Sequence, residues 1–399
     1  MTAIATTTSG SLPRSRALIE ANAARAFEDD GFTLRSTPEF EALVAEAVGE
    51  VVQRQRDAGI GLVGDGEYGK AMSSATDYGA WWSYSFQRVG GLALTGTDIF
   101  SQPPAVSEPG RIELTSFLDR RDRRRFPAVY REAVETGRVA SGFPTTTGPL
   151  TYRGQEATAS DIRNLASALR PGEQGFLTAI SPGSGSRVWN QFYASDDDHL
   201  QAWADVLREE YRAITDAGLV LQIDDPSLAE NWDQITPEPD VSDYRAFTQR
   251  RVDALNHAIA GLPKERVRLH VCWGSWHGPH VTDIPIAEIL PVVLTANVGQ
   301  ISFEAGNVRH EHEWTAWRDA ADAGVLPDDL VLVPGVVSHA TNVVEHPDLV
   351  AQRIRRFADI VGDDRVIAST DCGLGGRIHP DIAWAKLEAL GEGARRASR

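Results

Sequence analysis

Cysteine is nearly absent from this 399-residue chain, which holds two, Cys272 and Cys372. Two thiols do not make a disulfide framework, and they fit a reducing compartment such as the cytoplasm. Long apolar runs are missing too. No stretch of about 18 apolar residues occurs, so no membrane-spanning helix is expected. Positive charge is in deficit: 39 Lys and Arg stand against 56 Asp and Glu, a formal net charge of -17. Such a surface repels nucleic acid and anionic membranes, and takes a polyanion only at a local basic pocket. Met1 to Leu12 carries no basic segment followed by an apolar run, so no secretory leader is expected. Repeats, low-complexity tracts and interdomain linkers are absent as well. One large domain over residues 1–399 is therefore the expectation, with a core to match 42% hydrophobic residues.

What the chain does contain is an alternation of short apolar runs with longer amphipathic ones. Strands are predicted at Ile4–Thr8, Gly61–Gly66, Phe176–Ile180, Leu219–Ile223, Val267–Cys272, Gln300–Glu304, Leu330–Val333 and Val366–Thr370. Helical patterns lie between most of them. One is opened by a capping-box spacing from Ser36 to Glu39. Others run roughly over Asp196–Asp216, Val241–Ala260, Ile286–Ala296, Glu313–Ala323, Asp348–Ile360 and Pro380–Leu390. Eight strands with intervening helices predict an α/β fold, the (β/α)8 TIM barrel. Residues 70–157 break the rhythm and read as a long insertion after the second strand. It carries Trp81, Trp82, Tyr84 and Phe86, of which the first three read as core or subunit contact, or as a lid over substrate. It also holds the basic run Arg120 to Arg125, which reads as a solvated helix face, and a further strand near Val139–Phe143.

In such a barrel the active site lies at the C-terminal ends of the strands. Those ends read Ser9-Gly10-Ser11, Asp65-Gly66-Glu67, Asp224-Asp225-Pro226, His270-Val271-Cys272, Glu304, Ser338-His339 and Asp371-Cys372-Gly373. His270 and Cys272 are two apart and share one side of a strand. With Glu304 and Cys372 they offer a zinc-type donor set. Each residue taken alone has a plainer reading. Cysteine is often a small buried hydrophobe. Glu67, Asp224 and Asp225 serve equally as helix caps or surface carboxylates, and His339 as a satisfied loop histidine. His277, His280, His310 and His312 share no periodicity and rank below the first four. Gly373-Leu374-Gly375-Gly376 lacks the Lys-Ser/Thr of a phosphate loop.

The strand-end motifs resemble the catalytic C-terminal barrel of cobalamin-independent methionine synthase and its single-domain relatives, which include the epoxyalkane:coenzyme M transferases. Thr6-Thr7-Thr8-Ser9-Gly10-Ser11-Leu12-Pro13 is similar to the family's first-strand signature, Asp65-Gly66-Glu67 to its acidic second-strand motif, and Leu221-Gln222-Ile223-Asp224-Asp225-Pro226 to its fourth-strand motif. The resemblance implies that His270, Cys272, Glu304 and Cys372 bind Zn2+. It implies that Ser9, Gly10 and Ser11 hold the carboxylate of a homocysteine-like thiol, and that Glu67 and Asp224 hold its ammonium. His339 corresponds to the family's histidine near the transferred group. Three departures stand out: the family's N-terminal half is missing, the insertion after Glu67 differs, and the loop carrying His339 is one residue shorter.

The reading that follows is S-methyl transfer from a methyltetrahydropteroylglutamate to homocysteine, making methionine. Alkyl transfer from another electrophile, such as an epoxide, to a thiol such as coenzyme M is the near alternative. A non-catalytic zinc- and thiol-binding barrel is the alternative of another class. The partners implied are a small-molecule thiol acceptor and a methyl or alkyl donor. The leaving group needs a proton, from His339 first and from Asp225 as the second candidate.

Overall fold

The structure, a computed structural model, describes residues 4–72, 80–97, 100, 102–134 and 143–398, with only the backbone of Ala80, Trp82 and residues 132–134. Eight parallel strands form the core: β1 (Ala5–Thr6), β2 (Val63–Gly64), β3 (Gly175–Ile180), β4 (Val220–Asp225), β5 (Val267–Val271), β6 (Gln300–Glu304), β7 (Val331–Val337) and β8 (Ile367–Thr370). They pair in the order β1-β8-β7-β6-β5-β4-β3-β2. The two ends of that row meet: the Thr6 carbonyl accepts from the Gly61 and Leu62 N–H groups at 3.2 and 2.9 Å. The sheet therefore curls into the predicted TIM barrel, with helices on its outer face. Every residue of β3, β4, β5 and β6 is buried. That follows from a parallel strand being covered on both faces, and it is why these segments read as continuous apolar runs.

Register decides what faces the barrel axis. Asp224 pairs with His270, and His270 with Ser302, so these three share one inward layer. One layer below, Arg268 lies fully buried and donates to Gln300 Oε1 at 2.9 Å and Gln222 Oε1 at 3.1 Å. Asp225 pairs with Val271 and so points outward, to the helices.

Several boundaries differ from the sequence reading, and four of them have a local cause. The helix Pro38–Asp57 is capped by Thr37, not Ser36; Thr37 accepts from Phe40 N–H and has extended backbone. A proline at the first helical position forces that, because the residue before it avoids the helical region. β7 continues through Pro334-Gly335 instead of ending at Val333. A Cβ on Gly335 would sit 2.3 Å from Asp371 Cα, so the glycine is there for close packing rather than as a breaker. The helix that starts at Ile286 stops at Val293, three residues early, with Pro291 inside its last turn. The last helix runs Pro380–Ala397, past Gly391, whose Cβ would meet the Ala58 carbonyl at 2.3 Å.

The excursion after β2 has its own small sheet. Strand Val89–Ala93 follows the helix Ala80–Arg88 and pairs antiparallel with Thr145–Tyr152, which also pairs with Trp189–Asn190. Val139 to Gly142 lie outside the described residues. The run Arg120–Arg125 is a solvated face only at its end, where Arg124 and Arg125 are exposed. Arg120 and Asp122 are buried, and Arg120 shares the carboxylate of Glu230 with Arg187.

Candidate metal centre

His270, Cys272 and Cys372 arrive at one point from opposite walls of the barrel. One donor atom from each lies within 4.8 Å of the others, and the two sulfurs are 3.9 Å apart. His270 Nδ1 is held by Ser302 Oγ at 3.2 Å, while Nε2 is buried without a hydrogen-bond partner among the described residues. A buried ring nitrogen left unpaired is costly, and a hydrogen bond at the far nitrogen is how a metal-ligating histidine is oriented. Burial pulls His270 down, yet the neighbouring Cys372 and Asp224 leave it raised overall. The thiols split. Cys272, hydrogen-bonded to Cys372 and buried, is pushed well above the usual range; Cys372 is pulled well below it by the same hydrogen bond and by His270, against burial. One nitrogen and two sulfurs in this spacing fit zinc.

Glu304 falls in a second group. Its carboxylate, a His339 nitrogen and an Asp371 oxygen lie within 4.8 Å of one another. Glu304 already accepts from the Trp273 N–H at 3.3 Å and from the Asn307 side chain. Burial pushes it up to about 7, with the nearby His310 pulling the other way. His310 itself is carried up to about 10, against burial, by Asp283 and Glu313. His339 is buried, with Nδ1 unpaired among the described residues, and burial holds it down at about 4. Asp371 uses one oxygen to accept from Ala305 and Gly306 N–H, both at 2.8 Å, which ties the end of β6 to the end of β8.

The acceptor-side candidates are mixed. Gly10 has φ 109°, and a Cβ there would stand 2.8 Å from Glu67 Oε1, so only glycine leaves room for that carboxylate. Ser9 spends its hydroxyl on the Thr370 carbonyl at 2.6 Å. The Ser11 carbonyl takes the Leu374 and Gly375 N–H groups at 2.8 and 2.9 Å. Glu67 has a left-handed backbone (φ 63°) and accepts from Lys70 Nζ at 3.1 Å and Thr178 Oγ1 at 2.6 Å. Asp224 accepts from Gln222 at 2.8 Å and Trp81 Nε1 at 3.2 Å; burial pushes it up to about 6. Asp225 does not join the site. It faces outward and caps the turn Pro226–Leu228 through Ser227, so its part as a second proton donor is withdrawn.

Sequence reasoning missed Lys70, Ser302, Asn307 and Asp371 as partners. Lys70 was findable: a lone lysine three residues after Glu67 lies within reach of it. Ser302 follows from register alone, which a single sequence does not state.

A closed parallel barrel with its ligand-type side chains gathered at the C-terminal mouth defines an enzyme scaffold with a candidate metal centre. The chain belongs to the cobalamin-independent synthase catalytic-domain family, whose profile matches residues 186–395. The 2-hydroxypropyl-CoM lyase of Xanthobacter autotrophicus is 25% identical over 385 residues, 89% of this chain and 86% of that protein. A methionine synthase of Methanothermobacter marburgensis is 27% identical over 234 residues, 57% of this chain and 64% of its own length. Among solved structures, a B12-independent methionine synthase from Shewanella sp. W3-18-1, in complex with selenomethionine, superposes with TM-score 0.68 at 19% identity, covering 100% of this chain and 98% of that one.

Proposed function

We propose that this chain is a zinc-dependent enzyme that transfers a methyl or other alkyl group to the sulfur of a small thiol. Methyl transfer from a methyltetrahydropteroylglutamate to homocysteine, giving methionine, is the first reading. The observation that carries it is the convergence of His270, Cys272 and Cys372 within 4.8 Å at the barrel mouth. Glu304, one step away beside His339, is the proposed fourth ligand. Zinc held there supplies the positive charge that makes a thiol ionise and keeps its sulfur in place.

The chain's own residues do the rest. His339, neutral because it is buried, accepts the thiol proton. It returns that proton to the donor atom that leaves as the new carbon–sulfur bond forms and the old carbon–heteroatom bond breaks. Asp224, and Glu67 with its partner Lys70, provide the polar wall for the acceptor's charged group. Trp81 closes that wall from the excursion. Two unbridged thiols 3.9 Å apart also suit a reducing cytoplasm.

The test is metal analysis of purified protein, then product masses with homocysteine, coenzyme M and a panel of methyl and epoxide donors. S-methyl product supports the first reading. Thioether from an epoxide supports the second, which the lyase's alignment along 89% of the chain favours. Zinc with no turnover of any pair leaves a zinc- and thiol-binding barrel.

A further inference from the structure

Of 39 basic residues only three are lysines: Lys70, Lys264 and Lys386. Lys264 pairs with Asp329 at the surface, whereas Lys70 and Lys386 are buried. Lys386 lies in the helix Pro380–Ala397 on the face that packs Ala383, Leu387 and Leu390 into the core. An apolar residue is what that position otherwise calls for. Its ammonium donates instead to Glu345 Oε2 at 2.8 Å and to the Val343 carbonyl at 2.6 Å. The other oxygen of Glu345 accepts from the Ser338 N–H at 2.8 Å. The Glu345 carboxylate thus closes the loop 338–345 into a ring, and Lys386 nails that ring to the last helix. His339 is the second residue of the ring. Ser338 Oγ, which takes the Ala340 N–H at 3.1 Å, pins the chain on its other side. Val343 and Val344, 71% and 40% exposed, give the loop little apolar anchorage.

A buried ion pair is a poor source of stability, because desolvating both charges offsets their attraction, and an apolar pair of like volume commonly does as well. Its effect here is geometric. We propose that Lys386 and Glu345 are positioning residues that hold the His339 imidazole against Glu304 and Asp371. The proposal rests on the reading of His339 as the proton carrier.

The test is the charge-free double variant K386M/E345L in the full, zinc-loaded chain. Its zinc content should match the parent, and its thermal midpoint should fall by only a few degrees, for the Ser338 N–H left without its acceptor. KM for the thiol should stay within about twofold, while kcat falls about a hundredfold, the scale of a 1 Å misplacement. In an H339A background the same double change should cost almost nothing, since effects acting through one residue do not add. In zinc-free protein, amide exchange at residues 338–340 should rise about tenfold while that of β7 stays put. A kcat within threefold of the parent, or an equal loss in the H339A background, overturns the proposal. If the parent turns over no thiol, the function reading fails and the exchange data decide alone: unchanged protection at 338–340 sinks the positioning role, and selective loss sustains the loop-holding part of it. Should K386M/E345L not fold, Glu345→Gln keeps the acceptor for Ser338 and removes only the charge facing Lys386. About a tenfold drop in kcat at constant KM is then expected, and no drop refutes it.

Discussion

The barrel and the excursion after β2 are held together by different forces. In the barrel, apolar side chains such as Leu221, Ile223, Leu269 and Ile301 are buried to within 1% on the outer faces of the strands. In the excursion the fastening is ionic and aromatic. Arg88 binds Asp161 and Glu210. Arg120 lies between the rings of Phe117 and Trp276, at 4.6 and 4.2 Å, while sharing Glu230 with Arg187. Asp122 accepts from the His280 and Val281 N–H groups, both at 3.2 Å, and so braces the left-handed turn at His280 (φ 54°) in the loop after Cys272. Apolar packing tolerates loss of one partner by partial collapse; a shared buried charge does not.

The largest effect expected is on the barrel's own site. Replacing both Cys272 and Cys372 by Ser should abolish zinc retention, read by elemental analysis after dialysis; full occupancy in that variant would discard the site. Next comes the contrast between the regions. Glu230→Ala strands two buried guanidinium groups and should cost about 3–5 kcal/mol. Limited proteolysis should then cut first within 115–130. Leu221→Ala should cost about 2–5 kcal/mol with no such local cleavage. If both variants open the chain at the same places, the two regions form one cooperative unit.

Acid should act on the seam between them. His199, on the helix Asp196–Asp216, meets Thr146 of the excursion sheet and Trp203, each at 3.0 Å, and burial holds it down at about 4. The lowered value means that the unfolded chain binds the proton first. Stability is therefore full above pH 6.5 and is lost as pH falls toward 4, by up to about 3 kcal/mol. Urea midpoints across that range should slope in the parent and flatten in His199→Asn; parallel slopes would assign the loss elsewhere. The smallest effect is Trp81→Phe. It removes one hydrogen bond to Asp224, about 1 kcal/mol, and should weaken acceptor binding roughly fivefold at unchanged zinc. Unaltered binding would place Trp81 in the packing only.

The barrel was legible because burial on both faces writes strands as apolar runs, and because strand ends carry the polar residues. The helix Asp196–Asp216 has the bounds its pattern predicts, with Ser195 as cap. His270 and Cys272 could be paired from spacing alone. The facing of Asp224 and Asp225 could not: adjacent carboxylates at a strand end are equivalent until register sends one inward and the other to a cap. The excursion was opaque for a related reason. Arg120 and Arg121 look solvated in sequence, and only their partners Glu230 and Trp232, more than a hundred residues on, show that they are not.

Gly10 and Gly375 set a limit for anyone wishing to alter what this protein accepts. A Cβ at Gly375 would stand 2.4 Å from the Leu12 carbonyl, and one at Gly10 would strike Glu67. At those two positions the rim leaves no room for a side chain, so a mutagenesis library gains nothing there. Trp81, on the helix Ala80–Arg88, and Trp276, in the loop after Cys272, do have side chains to trade, and variants of altered substrate range should be sought there.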